Sequence, residues 1–220
     1  MNLKPGEIEQ TSLQIIREEL EAGGIRLPEE NAGVILRCIH ASADFDYAET
    51  LRFTPGAVPL AINALRRGVA VVTDTNMAKA GISRPALRKL GGEVFCYMAE
   101  DEVAREAKAR GVTRAAVSME HAAGEHPRAV FAIGNAPTAL FTLAEAIERG
   151  LRPALIIAVP VGFVHVEESK TRILAACGEA EVPCIAAMGR KGGSSIAAAV
   201  CNCLLYAAAG MEDPAARGWG

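Results

Sequence analysis

The chain has 220 residues, half of them apolar and only 5% aromatic, so it can bury a sizeable core built from Ala, Val, Ile and Leu. A formal net charge of −3 argues against a nucleic-acid or anionic-membrane partner. No apolar run reaches the roughly 18 residues of a bilayer span, and the start Met1-Asn2-Leu3-Lys4-Pro5-Gly6 has no apolar signal core, so a cytoplasmic protein is expected.

The N-terminal third reads as helical. Ile8, Leu13, Ile15, Ile16 and Leu20 recur at near-helical spacing, and Gly23-Gly24 stop the run. A second helix is expected from about Pro28 to Ala41, and a third after Pro55, ending near Gly68. The pattern then changes to five short apolar runs: 69–73, 93–98, 129–133, 155–159 and 184–188. Helical segments separate them at about 100–110, 113–124, 138–149, 167–178 and 194–209. This alternation predicts one α/β domain over residues 1–220, with a five-stranded, mainly parallel sheet, helices on both faces and the N-terminal helices wrapping the same unit. No linker or repeat interrupts it, and the tail after Gly210 is expected to fray.

Six cysteines, Cys38, Cys96, Cys177, Cys184, Cys201 and Cys203, match no zinc-ligand spacing and read as reduced packing residues. No histidine pair has metal-ligand spacing, so neither a protein-bound metal nor another cofactor is expected.

Several residues are candidates for chemistry. His40 ends the second helix before a turn holding Asp44 and Asp46. It can exchange a proton near neutral pH, or simply suit the helix dipole. Carboxylates close to it would raise its pKa. His121 and His126 read as solvated, and His165 follows the fourth strand. Asp74 ends the first strand at the expected ligand edge and is counted with the substrate-binding residues, where it orients a donor or simply caps a turn. Gly134-Asn135-Ala136-Pro137-Thr138 joins strand to helix, and its N–H groups are expected to face a cleft, unless it is an ordinary capped junction. Arg114 follows a Thr113 cap at the positive end of a helix dipole, which points to an anionic ligand or to a surface pair with Glu120. Gly189-Arg190-Lys191-Gly192-Gly193-Ser194-Ser195 puts two cations, mobile backbone and hydroxyls at a helix start, an anion site. It is neither a Walker loop nor a dinucleotide fingerprint, so a carboxylate fits at least as well as a phosphate.

Taken in order, these blocks resemble one family. Ile39-His40-Ala41-Ser42-Ala43-Asp44-Phe45, Thr73-Asp74-Thr75-Asn76-Met77, Gly111-Val112-Thr113-Arg114, Asn135-Ala136-Pro137-Thr138-Ala139-Leu140, Pro160-Val161-Gly162-Phe163-Val164, Glu168-Ser169-Lys170 and Gly189-Arg190-Lys191-Gly192-Gly193-Ser194 are similar to the precorrin-8X methylmutase family, in its cobalt-precorrin-8 branch. The resemblance runs from about Ile8 to Tyr206. It implies an isomerase that moves a methyl group from C-11 to C-12 of a corrin macrocycle, giving cobyrinate or, without metal, hydrogenobyrinate. Any cobalt belongs to the substrate. The resemblance makes His40 the proton-exchanging residue and sets Ser12 and Arg114 around the same site. It makes Arg114, Arg190, Lys191 and the helix starts with Asn135 and Gly192–Ser194 anchors for the substrate's carboxylates, and it implies a homodimer, with hand-over of product to a next enzyme. His165-Val166-Glu167 departs from the small residues usual after Pro160–Val164, as does Leu13 from an aromatic. A non-catalytic corrinoid carrier and a phosphate- or nucleotide-binding α/β enzyme are the alternatives.

Overall fold

The structure, a computed structural model, describes residues 4–217. Its elements in chain order are α1 (Pro5–Ala22), α2 (Glu29–Ser42), α3 (Tyr47–Thr50), β1 (Leu51–Phe53), α4 (Ala57–Arg66), β2 (Val71–Thr73), α5 (Asn76–Gly81), α6 (Arg84–Leu90) and β3 (Val94–Phe95). They continue with α7 (Asp101–Arg110), α8 (Arg114–Glu125), β4 (Val130–Ile133), α9 (Pro137–Glu148), β5 (Leu155–Ala158), α10 (Val166–Glu179), β6 (Cys184–Ala187), α11 (Ser194–Ala209) and a 3₁₀ turn at Pro214–Arg217.

The strands form one sheet in the order β1-β6-β5-β4-β2-β3. The five expected runs are the five parallel strands. A sixth strand is added to the expected count: β1 pairs antiparallel with β6, Leu51 opposite Ala187 and Phe53 opposite Ile185. Three residues with Arg52 at the centre carry too little alternation to be read as a strand. The short helices α3, α5 and α6 are likewise additional to the expected elements, each of fewer than eight residues and so too short to show a helical period.

Side chains alternate along each strand, and the alternation sorts them into two cores. Val71, Val130, Ala132, Leu155, Ile157 and Ile185 pack under α1, α2, α4, α5, α6 and α11. Val72, Phe131, Ile133, Ile156, Ala158 and Ala186 pack under α7, α8, α9 and α10. Both faces are thus covered, as a near-continuous apolar strand requires. The path from β2 goes outward to β3 through α5 and α6, then back across β2 to β4 through α7 and α8. The carboxyl ends of β2 and β4 therefore flank a topological switch point, where open α/β sheets bind ligands.

The expected fraying after Gly210 does not hold for the described part of the tail. Met211 and Pro214 are buried, and the Arg217 guanidinium lies 4.6 Å from the Tyr206 ring centroid. Arg217 Nη2 also donates to Glu9 Oε1 at 2.8 Å, and Arg37 Nη2 donates to the same oxygen at 2.8 Å. Two guanidiniums hold one buried carboxylate and fasten both chain ends to α2. Burial pushes the Glu9 carboxyl up, but the bonds from Arg217 and Arg37 outweigh it and leave it below the usual carboxylate range. That stabilisation is present above the ordinary value of 4.5 and is lost as pH falls through the lowered folded value. Arg217→Ala should destabilise the protein by about 2 kcal/mol in urea unfolding at neutral pH, and the deficit should shrink in acid. An unchanged unfolding midpoint would show that the tail is not fastened this way.

Candidate active site

The carboxyl edge of the sheet is built around Asp74. It follows β2 and has no exposed surface. Its Oδ1 accepts from the Gly134 N–H at 2.9 Å, and its Oδ2 accepts from Asn135 and Ala136 N–H at 2.8 Å each. A carboxylate is thus installed at the start of α9, the position that helix N-termini commonly offer to an anionic ligand. Two expectations are corrected here. Asp74 is not a ligand contact, because it is buried and its oxygens are taken. The N–H groups of the Asn135 turn face Asp74 and not a cleft. Burial pushes the Asp74 carboxyl up, and the bonds from Gly134, Ala136 and Asn135 offset only part of that. The Asn135 side chain itself is exposed.

Asp74 closes β2 on β4, and the β6–α11 loop then packs across both. A Cβ on Gly134 would come within 2.7 Å of Ser194 Cα, and one on Gly192 within 2.1 Å of Val159 O, so both positions require glycine. Gly193 N–H donates to Val159 O at 2.8 Å, and the Ser194 and Thr75 hydroxyls are 2.7 Å apart. The anion loop of the sequence reading is therefore pinned at Gly192, Gly193 and Ser194 against the ends of β2, β4 and β5.

The two cations of this loop already have carboxylate partners. Arg190 Nε donates to Glu167 Oε1 at 3.0 Å, and its guanidinium lies 5.6 Å from the Phe163 ring centroid. Lys191 Nζ meets Asp44 Oδ2 at 2.7 Å and Asp46 Oδ2 at 2.5 Å. Hydrogen bonds to those two carboxylates hold the Lys191 ammonium well above its ordinary value, and the Lys191 bond holds the Asp44 carboxyl below its own. Beside them, Phe163 and Val164 are 84% and 74% exposed, an uncovered apolar lip on the β5–α10 loop. His165, the departure in this loop, sits at a left-handed φ of +55° and bonds Glu168 at 2.8 Å through Nδ1.

Arg114 opens α8 behind its Thr113 cap, which accepts from Ala116 N–H. The Thr113 hydroxyl donates to Thr138 at 2.8 Å, so α8 and α9 start side by side on the carboxyl edge. The expected alternative pairing with Glu120 does not form, since Glu120 pairs with Arg110. Arg114 has no ion-pair partner among the described residues; it lines an open cleft of about 790 Å³ with Arg105 and Lys108.

His40 lies in the last turn of α2, three residues before a left-handed Ala43 (φ +55°) that ends the helix. The turn beyond it is the one whose carboxylates hold Lys191, which brings His40 to the same edge. The expected rise in its pKa is overturned. Asp44 and Asp46 are drawn to Lys191, while burial first, and then the Arg37 charge, lower the His40 pKa below 6.5, with Glu9 only partly opposing. Its resting form at neutral pH is the uncharged imidazole. Arg37 and Glu9 went unread as site residues, although the i, i+3 spacing of Arg37 to His40 was a visible signal.

Ser12 is not brought to His40 within the chain. Glu9 meets Arg37 across the α1–α2 hairpin, so the helices run antiparallel. Three residues further along α1, Ser12 moves away from His40, and its hydroxyl donates to Ile8 O at 2.8 Å. His121 and His126 are not simply solvated either. His121 Nε2 lies 2.8 Å from Glu106 Oε2, and His126 stacks on Phe95 with ring centroids 4.2 Å apart. All six cysteines are free thiols, four of them buried. Among the described residues no helix is long and apolar enough to cross a membrane.

A covered parallel sheet with cations, glycine-rich turns and an imidazole gathered at its switch-point edge defines an α/β enzyme acting on an anionic small molecule. Comparison with known proteins specifies which kind. The model of the precorrin-8X methylmutase family matches residues 7–207. The cobalt-precorrin-8 methylmutase of Priestia megaterium is 39% identical over 205 residues, covering 93% of this chain and 88% of its own. The precorrin-8X methylmutase of Pseudomonas aeruginosa is 39% identical over 198 residues, covering 90% and 93%. A crystal structure of precorrin-8X methylmutase from Thermus thermophilus superposes with a TM-score of 0.81 at 38% identity, covering 92% of this chain and 98% of that one. The chain belongs to the precorrin-8X methylmutase family, isomerases of cobalamin biosynthesis.

The Asp74 clamp yields a direct test. Asp74→Ala leaves three N–H groups unpaired at the edge and should cost about 3 kcal/mol in denaturant unfolding, the range of hydrogen bonds to a charged group. Asp74→Asn, which can still accept but also presents an NH₂ to those donors, should lose part of that. Wild-type stability in Asp74→Ala would remove the clamp.

Proposed function

We propose that this chain moves a methyl group from C-11 to C-12 of a cobalt-bearing corrin macrocycle, turning cobalt-precorrin-8 into cobyrinate. One observation carries the reading: within a family match from residue 7 to 207, the carboxyl edge combines an uncharged imidazole, His40, with the exposed cations Arg114, Arg190 and Lys191. The Ser42–Asp46 stretch after His40 supports the cobalt branch.

The chemistry is balanced within the substrate. The bond from the methyl carbon to C-11 breaks as the bond to C-12 forms, and the ring double bonds move with it. No electrons enter or leave, so the reading requires no cofactor on the protein, and cobalt travels as part of the substrate. Being neutral at rest, His40 first takes a proton from the conjugated ring and then returns it, selecting the tautomer able to rearrange. Arg114, Arg190, Lys191 and the Asn135 amide hold peripheral carboxylates, and the apolar lip of Phe163 and Val164 lies against the macrocycle. The pairs Arg190–Glu167 and Lys191–Asp44/Asp46 are exposed and therefore weak, so substrate carboxylates can replace them at little cost. Ser12, remote from His40 in its own chain, fits a homodimer in which a second copy completes the site. The same reading includes hand-over of product to a following enzyme and a cytoplasmic location, where six thiols stay reduced.

The test is conversion of cobalt-precorrin-8 followed by absorption. His40→Ala should lose about 10²–10⁴-fold in turnover while still binding cobyrinate, and His121→Ala should remain active. Because the neutral imidazole is the working form, wild-type kcat/KM should fall as pH drops below 6.5 through the lowered His40 value. Arg37→Met, which removes a charge that lowers that value, should move this limb to higher pH. Wild-type rates in His40→Ala across neutral pH would end the assignment.

A further inference from the structure

Lys170 is fully buried, yet no carboxylate lies within 4 Å of its ammonium among the described residues. Its Nζ instead donates to two backbone carbonyls, Gly189 O at 2.8 Å and Lys191 O at 2.9 Å. These flank Arg190, whose own carbonyl accepts from Gly162 N–H at 3.1 Å. Glu167, three residues earlier and so on the same face of α10, takes the Arg190 side chain. One helix face thus grips the 189–191 stretch twice, by a cation on its carbonyls and an anion on its guanidinium.

The grip has a directional consequence. In a trans peptide the C=O and the next N–H point to opposite sides, and no cis peptide occurs among the described residues. Three successive carbonyls are turned toward α10 and the β5–α10 loop. The N–H groups of Arg190, Lys191 and Gly192 must then face the other way, and none of the three donates to an acceptor among the described residues.

We propose that Lys170 is a positioning residue for ligand binding: its ammonium turns the 189–192 backbone so that these N–H groups, with the Arg190 and Lys191 side chains, meet a carboxylate of the substrate. The inference rests on the carboxylate-binding role given to this loop under the proposed function. Lys170 touches no reacting atom; it acts through the loop.

Withdrawal from water lowers the Lys170 pKa from 10.5 to about 8, with the Glu167 charge only partly opposing. The charged groups around the grip are Glu167 on its own helix, Arg190 and Lys191 on the loop, Asp44 and Asp46 beyond Lys191, and His165 with Glu168 at the start of α10. Lys191, raised by its two aspartates, keeps its charge through this window. Loss of the Lys170 proton therefore weakens the hold on both carbonyls, and ligand affinity falls as pH rises through about 8. Folding stability moves the opposite way. Between about 8 and 10.5 the unfolded chain binds more protons at this residue than the folded one, so stability rises with pH there. A residue that only held the fold together would not split the two trends.

The full chain is titrated with cobyrinate, followed by absorption, at about pH 7 and about pH 9, with circular-dichroism melts alongside. The wild type should bind about tenfold more weakly at the higher pH. Lys170→Met should bind about tenfold or more weakly at the lower pH, the scale of a loosened anchor, and show no further loss at the higher one. Lys170→Arg, whose guanidinium does not titrate here, should keep the affinity and lose the pH dependence. Should Lys170→Met fail to fold, Lys170→Arg decides: a flat profile supports the inference, and a wild-type profile overturns it. Equal affinity of wild type and Lys170→Met at both pH values also overturns it. No cobyrinate binding by the wild type at any pH would instead overturn the carboxylate-binding reading on which the inference stands.

Discussion

The carboxyl edge of the sheet is organised around a single buried carboxylate, Asp74. At the switch point of a doubly wound sheet, the N–H groups opening the crossover helix are the natural anion seat. Here Asp74 fills that seat from within, using both oxygens on Gly134, Asn135 and Ala136. The ends of β2 and β4 are thereby drawn together, tightly enough that Gly134 touches the backbone of Ser194. The β6–α11 loop has to cross above them, and it is there that the unoccupied N–H groups and the cations collect. Because the β4–α9 turn is satisfied internally, the N–H groups left for an anion lie two strand-ends over, in the loop that follows β6.

The displaced site is electrostatically balanced before any ligand arrives. Asp44, Asp46 and Glu167 act as resident carboxylates on Lys191 and Arg190. Exposed pairs of this kind contribute little to stability and are screened by salt. Under the proposed function, their exchange for ligand carboxylates would leave the number of charge contacts nearly constant, so the loop would not need to unfold to admit a polyanion. At His40, burial and the Arg37 charge lower the pKa, with Glu9 partly opposing.

Most of the architecture could be read from short-range pattern. The five parallel strands are short apolar runs, and the long helices between them show helical period. The motif order identified the family, and the sites of His40, Arg114 and the 189–195 loop all fall on one edge. What escaped depends on partners far apart in sequence. Leu51-Arg52-Phe53 becomes a strand only because β6 offers it an edge. The Lys191–Asp46 contact spans 145 residues, and the burial that lowers the His40 pKa comes from packing that its sequence neighbours do not reveal. The Arg217–Glu9 bond spans 208 residues and turns an apparently loose tail into a buried strap. Lys170 stood inside a recognised motif, but nothing local marks a lysine whose partners are carbonyls on another element.

The antiparallel edge strand also has a meaning in time. Thr54, which follows β1, bonds Cys184 of β6 across 130 residues of sequence. At a synthesis rate of about 5–20 residues per second, β1 leaves the ribosome roughly 6–26 s before its partner exists. Until then the edge strand has nothing to pair with, and α2 and α4 still lack α11, whose Ile196, Val200, Leu204 and Leu205 share their core with Val34, Ile35, Ala61 and Leu65. The N-terminal third, the first part of the chain to be made, is therefore among the last to be secured.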